Sequence, residues 1–407
     1  MFRNPLVIFL LLLGFSLETK AQDSVPYSKE WQQLKIDSFM KHLNKRGVFN
    51  GTVLVAKEGQ VYYHESFGYA HLKSKDSMNN ELRYQMASVS KPITASAIML
   101  LVQRGEVNLE DKITKYFPEL ILFHRVKVKH LLNHTSGLPE YIYRAGPYWK
   151  KDAYMSNEEL IKFLAKRKYR PRGTPGTKFN YCNTNYALLA SIVERVSEES
   201  FDEFVKKEIF QPLGMCKSFI FHPEHDSAGM ADVTGYAWTG RYFKPYGFDY
   251  RNGIMGDKGL FSTADDLMRF AESFDDDNLW CKETSDLIFT KTKLIWGGMS
   301  EYGMGWRMRE WDDMRVQLHY GFWNSFRTGM IHFPDSKVTF IILNNLTGGH
   351  GSRINNREQI IYGLMDIMFP PKQKEEVVAE TDKPKVEEQS ESDSVQEEPD
   401  TKEGEGE

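Results

Sequence analysis

The chain has 407 residues, 41% hydrophobic and 13% aromatic, enough to bury a sizeable core. A formal net charge of −4 excludes the broad basic surface that holds nucleic acid or an anionic membrane by charge alone. Much of the negative charge lies at the end, where residues 371–407 carry 14 acidic and 5 basic side chains.

In chain order, Arg3, an apolar run from Leu6 to Phe15 and the small residue Ala21 predict an export signal over residues 1–21. The run falls short of the roughly 20 apolar residues that span a bilayer, so the mature chain is expected in the periplasm or outside the cell, without stable membrane insertion. No cysteine lies near the end of this segment, which excludes a lipid anchor on a processed N-terminal cysteine. Residues 22–370 then read as one domain and residues 371–407 as an acidic disordered tail. That tail, rich in Glu, Lys, Ser and Pro, buries too little apolar area to offset its ordering entropy.

Within the domain, Ile36, Phe39, Met40 and Leu43 mark one face of a helix over Ser28–Arg46, stopped by Gly47. Thr52–Ala56 and Val61–Phe67 read as strands joined by a tight loop at Gly59. A helix follows over Ser90–Arg104, with Pro92 tolerated in its first turn. Residues of roughly 106–300 mix helices (Asn157–Lys166, Asn185–Arg195, Asp202–Ile209, Ala264–Ser273) with aromatic-rich loops and few strand signals. Strands return at Arg315–His319, Ser325–Phe333 and Lys337–Leu343, and a last helix carries Ile361, Leu364, Met365 and Met368 on one face. Two early and three late strands predict an α+β fold: one antiparallel sheet of about five strands built from both chain ends, flanked by terminal helices, with a large, mainly helical insertion. Cys182, Cys216 and Cys281 form no disulfide framework, although one bridge between an unspecified pair remains open.

A serine hydroxyl needs a nearby base and donors for the oxyanion it creates. The chain has no Gly-x-Ser-x-Gly, no His-Glu-x-x-His and no phosphate-binding Gly-rich loop. It does have Ser-x-x-Lys, twice. Ser38 and Lys41 lie within the first amphipathic helix, where Ser38 is expected at the surface. Ser88 and Lys91, in Met86-Ala87-Ser88-Val89-Ser90-Lys91-Pro92, sit where an irregular segment enters a helix, so the two can meet on one face. Standing alone, Ser88 would read equally well as a helix cap. Tyr181-Cys182-Asn183 adds a phenol that could accept the serine proton and an amide that could meet a substrate carbonyl. Tyr250-Arg251-Asn252 repeats that pattern without the turn-to-helix setting. His319-Tyr320-Gly321, at the end of a strand, completes the set.

These three motifs, with Gly51-Thr52-Val53-Leu54-Val55-Ala56, His130-Leu131-Leu132-Asn133-His134-Thr135-Ser136-Gly137-Leu138-Pro139 and Gly256-Asp257-Lys258-Gly259-Leu260-Phe261-Ser262-Thr263, resemble the serine β-lactamase and penicillin-binding protein superfamily, in its class C-like, esterase and D-aminopeptidase branch. The resemblance implies a β-lactamase/transpeptidase-like fold and a cofactor-free serine hydrolase acting on a small-molecule or peptide substrate. It implies Ser88 as nucleophile, Lys91 and Tyr181 as its activators, and Asn183 as orienter of the acyl side chain. Backbone N–H groups of Ser88 and Phe322 would form the oxyanion hole, and His319 and Gly321 would contact the substrate beside it. An alternative is a catalytically weak relative that binds cell-wall peptide. Where penicillin-recognising members usually carry Lys-Thr-Gly, this chain has His319, mostly neutral at pH 7 with an ordinary pKa of about 6.5. That departure points toward ester or amide substrates and away from β-lactams.

Tyr141, Tyr143, Tyr148 and Trp149 either line an acyl pocket or pack a loop. His130 with His134, and His222 with Glu224, His225 and Asp226, read as structural or solvated groups rather than metal ligands.

Overall fold

The computed structural model describes residues 27–370 apart from 151, 227–231, 277–278 and 349–355. The expected export signal and acidic tail lie outside the described residues.

Helix α1 (Lys29–Lys45) starts where the Ser28 side chain accepts the Trp31 N–H, and it buries Ile36, Met40 and Leu43. Strands β1 (Gly51–Lys57) and β2 (Gln60–Phe67) follow, turning at Glu58 and Gly59, both in the left-handed region. The chain then leaves the sheet for a long insertion that contains α2 (Ser90–Gln103) and α3 (Asn183–Ser197). It returns through β3 (Arg307–Trp311), β4 (Met314–Trp323), β5 (Phe326–Phe333) and β6 (Val338–Asn344), and closes with α4 (Asn356–Met368). The six strands lie in the antiparallel order β3-β4-β5-β6-β1-β2, so the sheet is built from both chain ends. β3 is the strand beyond the expected five. Its alternation is too short and too polar to separate from the glycine-rich run before it.

The central strands are covered on both sides. Val53 and Val55 of β1, with Phe340 and Ile342 of β6, pack under the two terminal helices. Leu54 and Ala56, with Ile341 and Leu343, face the insertion. This two-sided burial explains why both strands read as unbroken apolar runs rather than alternating ones. Helix α2 is buried on nearly every side, from Ser90 to Leu101, which makes it the axis of the second layer.

The insertion is helical at Asn157–Arg167, α3 and Ala264–Glu272, and it also holds short strands of two to four residues. Of these, Leu260–Ser262 pairs with Tyr84–Gln85 and runs just behind the start of α2. The helix expected over Asp202–Ile209 is a short α turn followed by a π turn, Phe201–Val205 then Lys206–Phe210. Cys182, Cys216 and Cys281 are all free.

Ile342 is fully buried between β6 and the terminal helices. Replacing it with Ala is expected to cost about 2–5 kcal/mol through lost burial and the cavity left behind. A thermal midpoint within a degree of the native protein's would refute the buried placement.

Candidate functional site

Ser88 lies on a single 3-10 turn, Ala87–Val89, that runs directly into α2. Ala87 takes φ 52°, a left-handed conformation that costs a non-glycine residue roughly 1–3 kcal/mol and persists where surrounding contacts hold it. Those contacts are visible. The Ser90 hydroxyl donates to the Ala87 carbonyl at 2.7 Å and accepts the Gly259 and Leu260 N–H groups. Thr94 donates to the Gly256 carbonyl, and Thr328 of β5 donates to the Met86 carbonyl, both within 2.8 Å. Gly321 of β4 lies so close that a Cβ there would fall 2.1 Å from Thr328 Oγ1 and 2.3 Å from the Met86 oxygen. The glycine therefore lets β4 pass against the serine turn.

One helical turn on, Lys91 is fully buried. Its Nζ donates to Ser88 Oγ at 3.1 Å, to Asn183 Oδ1 at 2.8 Å and to the Asp257 carbonyl at 2.8 Å. Three acceptors match the three donors of an ammonium. Asn183, the first residue of α3, is thereby held by Lys91, and its Nδ2 donates to Glu140 at 3.0 Å. Its amide is thus anchored at both Oδ1 and Nδ2 while the residue lines the cleft. Tyr181 faces the same cleft as Ser88, with Lys91 Nζ 5.0 Å from its ring centroid.

The His134–Leu138 loop holds this tyrosine segment. His134 itself is left-handed at φ 57°, and its Nδ1 accepts the Cys182 N–H at 3.1 Å. Its ring packs 4.3 Å from that of Tyr181. The Asn180 N–H reaches the His134 carbonyl, Ser136 donates to Asn185, and Thr184 donates to the Pro139 carbonyl. The reading of His134 as structural is in keeping with these bonds, and the described residues contain no group of three or more acidic, His or Cys side chains able to hold a metal.

His319 is buried, and its side chain does not face the cleft. Nε2 pairs with the Tyr302 hydroxyl at 3.1 Å and Nδ1 with the Tyr320 carbonyl at 2.9 Å. The expected direct role in substrate contact is not what this geometry offers, because strand β4 continues past it and Tyr302 covers it. Tyr320, Gly321, Phe322 and Trp323 do line the cleft, and Phe322 projects at the rim with 58% of its surface exposed. Of the four aromatic residues weighed as a pocket, Tyr143 lines the cleft. Tyr148 packs on Phe163, and Trp149 stacks on Tyr250. Tyr141 is buried, donates to Asp257 at 2.9 Å and accepts from Lys258.

The cleft measures about 1020 Å³ and brings together residues that the motifs did not single out. Glu140 accepts the Asn183 N–H at 2.7 Å, and burial, aided by the Asp257 charge, raises its carboxyl above the ordinary range. Lys258 pairs with Asp257 at 3.1 Å, and burial lowers its ammonium. Arg307 and Arg357 also line the cleft. Asp257 and Lys258 stood inside a quoted stretch, but nothing in the spacing marked their side chains as partners of Tyr141.

The chain matches the family model described as Beta-lactamase over residues 36–364. It is 31% identical over 328 residues to a penicillin-binding protein of Bacillus subtilis, covering 78% of this chain and 72% of that protein. A D-aminopeptidase of Brucella anthropi is 29% identical over 310 residues, which is 74% of this chain and 56% of the relative. The octameric penicillin-binding protein homologue of Pyrococcus abyssi superposes with a TM-score of 0.69 at 29% identity, covering 82% of this chain and 77% of that one. The D-amino acid amidase of Ochrobactrum anthropi shares the fold, with a TM-score of 0.70 at 20% identity over 83% of this chain and 98% of that one.

Two outcomes follow from this geometry. Gly321→Ala is expected to push β4 off the Met86–Ala87 turn, so that turnover falls far more than the thermal midpoint; a variant with native turnover would refute the close approach. His134 and His319 are both held well below the ordinary histidine range, first by burial and then by the Lys91 and Arg307 charges. A depressed folded pKa gives stability that is complete above the unfolded value of about 6.5 and is lost as pH falls below it. The thermal midpoint should drop below that pH, and His319→Asn should make the drop shallower. An unchanged slope in the variant would remove His319 from the account.

Proposed function

Since the chain belongs to the beta-lactamase family of serine hydrolases, we propose that it is an exported enzyme that forms an acyl-enzyme on Ser88 and hydrolyses an ester, an amide or a D-amino-acid peptide. The observation that carries this reading is the 3.1 Å hydrogen bond from buried Lys91 to the half-buried Ser88 hydroxyl, at the floor of a cleft shared with Tyr181.

Lys91 spends its three donors on Ser88, Asn183 and Asp257, so the proton acceptor is Tyr181. Ser88 Oγ attacks the substrate carbonyl carbon and its proton passes to the Tyr181 oxygen. The carbonyl oxygen becomes an oxyanion, received by the backbone N–H groups of Ser88 and Phe322. Collapse breaks the bond to the leaving alcohol or amine, which takes the proton from Tyr181. Water then attacks the acyl carbon and gives its proton to Tyr181; as the acyl bond to Ser88 Oγ breaks, Tyr181 returns that proton to the serine and the free acid leaves. To accept each proton Tyr181 acts as a phenolate, and Lys91, 5.0 Å from its ring centroid, and Arg307, 5.5 Å from it, stabilise the negative charge it carries before each proton arrives and after each one leaves.

The names of the relatives, a penicillin-binding protein and a D-aminopeptidase, support acyl donors of the D-amino-acid class. The apolar leader ending near Ala21 supports export. Among the described residues, no helix is long and apolar enough to cross a membrane.

The test is hydrolysis of nitrophenyl esters, D-amino-acid amides and a chromogenic cephalosporin, with intact-protein mass spectrometry for a covalent adduct. Ser88→Ala should lose about a thousandfold or more of turnover and all adduct, and Lys91→Met about a hundredfold or more of turnover. Equal activity in native and Ser88→Ala protein would overturn the assignment. An adduct on Ser88 without turnover would favour a binding protein for cell-wall peptide.

A further inference from the structure

The charges lining the cleft do not balance. Six cations face it, and the one carboxylate among its lining residues, Glu140, is already committed to the N–H groups of Asn183 and Ile142. Two of the cations are neutralised locally: Arg251 pairs with Asp249, and Lys258 with Asp257. The other four are Arg144, Arg172, Arg307 and Arg357. None of them forms an ion pair with a carboxylate among the described residues.

These four stand on two walls. Arg144 and Arg172 belong to the helical insertion, the first over the Tyr169 ring at 5.1 Å and the second tied by its backbone N–H to the Gly137 carbonyl at 2.7 Å. Arg307 opens β3 and lies over the rings of Tyr181 and Tyr302, at 5.5 and 5.9 Å. Arg357, from α4, stacks 3.8 Å from the Tyr320 ring centroid and reaches the carbonyls of Gly321 and Thr328 at 3.4 and 3.5 Å. Ser88 sits on the turn between the two walls, against β4 on one side and linked through Lys91 to α3 on the other. Aromatic faces hold three of the guanidinium groups by cation–π attraction, which leaves the donor forks of Arg144 and Arg307 available, while Arg357 gives only Nη1 to its two long carbonyl contacts. A guanidinium fork matches the paired oxygens of a carboxylate or phosphate. Burial disfavours the charged form of Arg357 and pushes it down to about 10, a penalty that an arriving anion relieves.

We infer that the substrate is at least a dianion, with one carboxylate or phosphate docked on Arg144 and Arg172 and a second on Arg307 and Arg357, on opposite sides of the scissile acyl bond. This rests on the serine-hydrolase reading above and narrows its substrate class. It also revises the expectation drawn from His319: the strand has no lysine, but the positive charge has moved to the two walls of the cleft.

The experiment is a matched set of esters. Acetyl and succinyl esters of meta-hydroxybenzamide and of meta-hydroxybenzoate give a neutral compound, two monoanions and a dianion of nearly the same shape. The acetyl ester of meta-hydroxyphenyl phosphate separates phosphate from carboxylate. For native protein, kcat/KM is expected to rise about tenfold for each added anionic group, with the advantage shrinking as salt is raised. The double variant Arg144→Gln with Arg172→Gln should erase the preference for one anionic group, and Arg307→Gln with Arg357→Gln the preference for the other. Lysine substitutions should restore part of each. Calorimetric titration of the dianion into Ser88→Ala protein reads binding independently of turnover.

A dianion no better than the neutral ester, or double variants that slow all esters by one common factor, would overturn the proposal while leaving serine hydrolysis intact. Salt-sensitive binding of the dianion to Ser88→Ala protein, with no turnover by native protein, would uphold the dianion and remove the hydrolase reading. Absence of that binding overturns the proposal whatever the turnover.

Discussion

The buried ammonium of Lys91 is the interaction around which the site is organised. A cation withdrawn from water costs several kcal/mol unless its donors are met. Here each donor is met by a different part of the chain: the serine turn, the first residue of α3, and the backbone at Asp257. None of the three segments is a sequence neighbour of the other two. The charge therefore holds the nucleophile, the Tyr181–Asn183 segment and the strand behind α2 in fixed relation, because releasing any one would leave a donor unsatisfied in the interior. Asn183 acts here as a strut between Lys91 and Glu140.

A second constraint acts on the opposite side of the serine. Ala87 holds a left-handed backbone because Ser90, Thr94 and Thr328 fasten the residues around it, and because Gly321 leaves room for the strand to pass. The nucleophile is thus positioned by packing and backbone hydrogen bonds more than by its own rotamer freedom. Substrate charge is handled elsewhere, on side chains rooted at the edge strand β3, the terminal helix and the insertion loops. Separating these tasks allows the strand to carry a neutral His319 tucked behind Tyr302 without emptying the cleft of positive charge.

How far the sequence could be read follows from the same physics. The terminal helices were legible because each has one apolar stripe, and the central strands because burial on both faces makes them continuously apolar. Ser88, Lys91 and Tyr181 stood out through local spacing, which survives in one dimension. β3 did not, since three of its five residues are charged and it follows four glycines in close order. Glu140, Arg307 and Arg357 were invisible for another reason. Their meaning comes from facing one cavity, to which the chain brings the two arginines from positions more than 160 residues beyond Glu140. The side of β4 on which His319 falls also depends on a tertiary cover, Tyr302, that no local pattern announces.

The pairing of β1 with β6 sets the order in which the enzyme can come into being. Gly51 lies opposite Asn344, so the first strand made waits for almost the last before its inner edge is satisfied. Such long-range closure is entropically late and slow. Gly321 and Thr328, which brace the serine turn, arrive in the same final stretch. A nascent chain that already contains Ser88, Lys91 and Tyr181 thus has its reactive groups but lacks the wall that aligns them. Competence for acyl transfer therefore requires that these later hairpins be in place, since they supply the wall against which the serine turn is held.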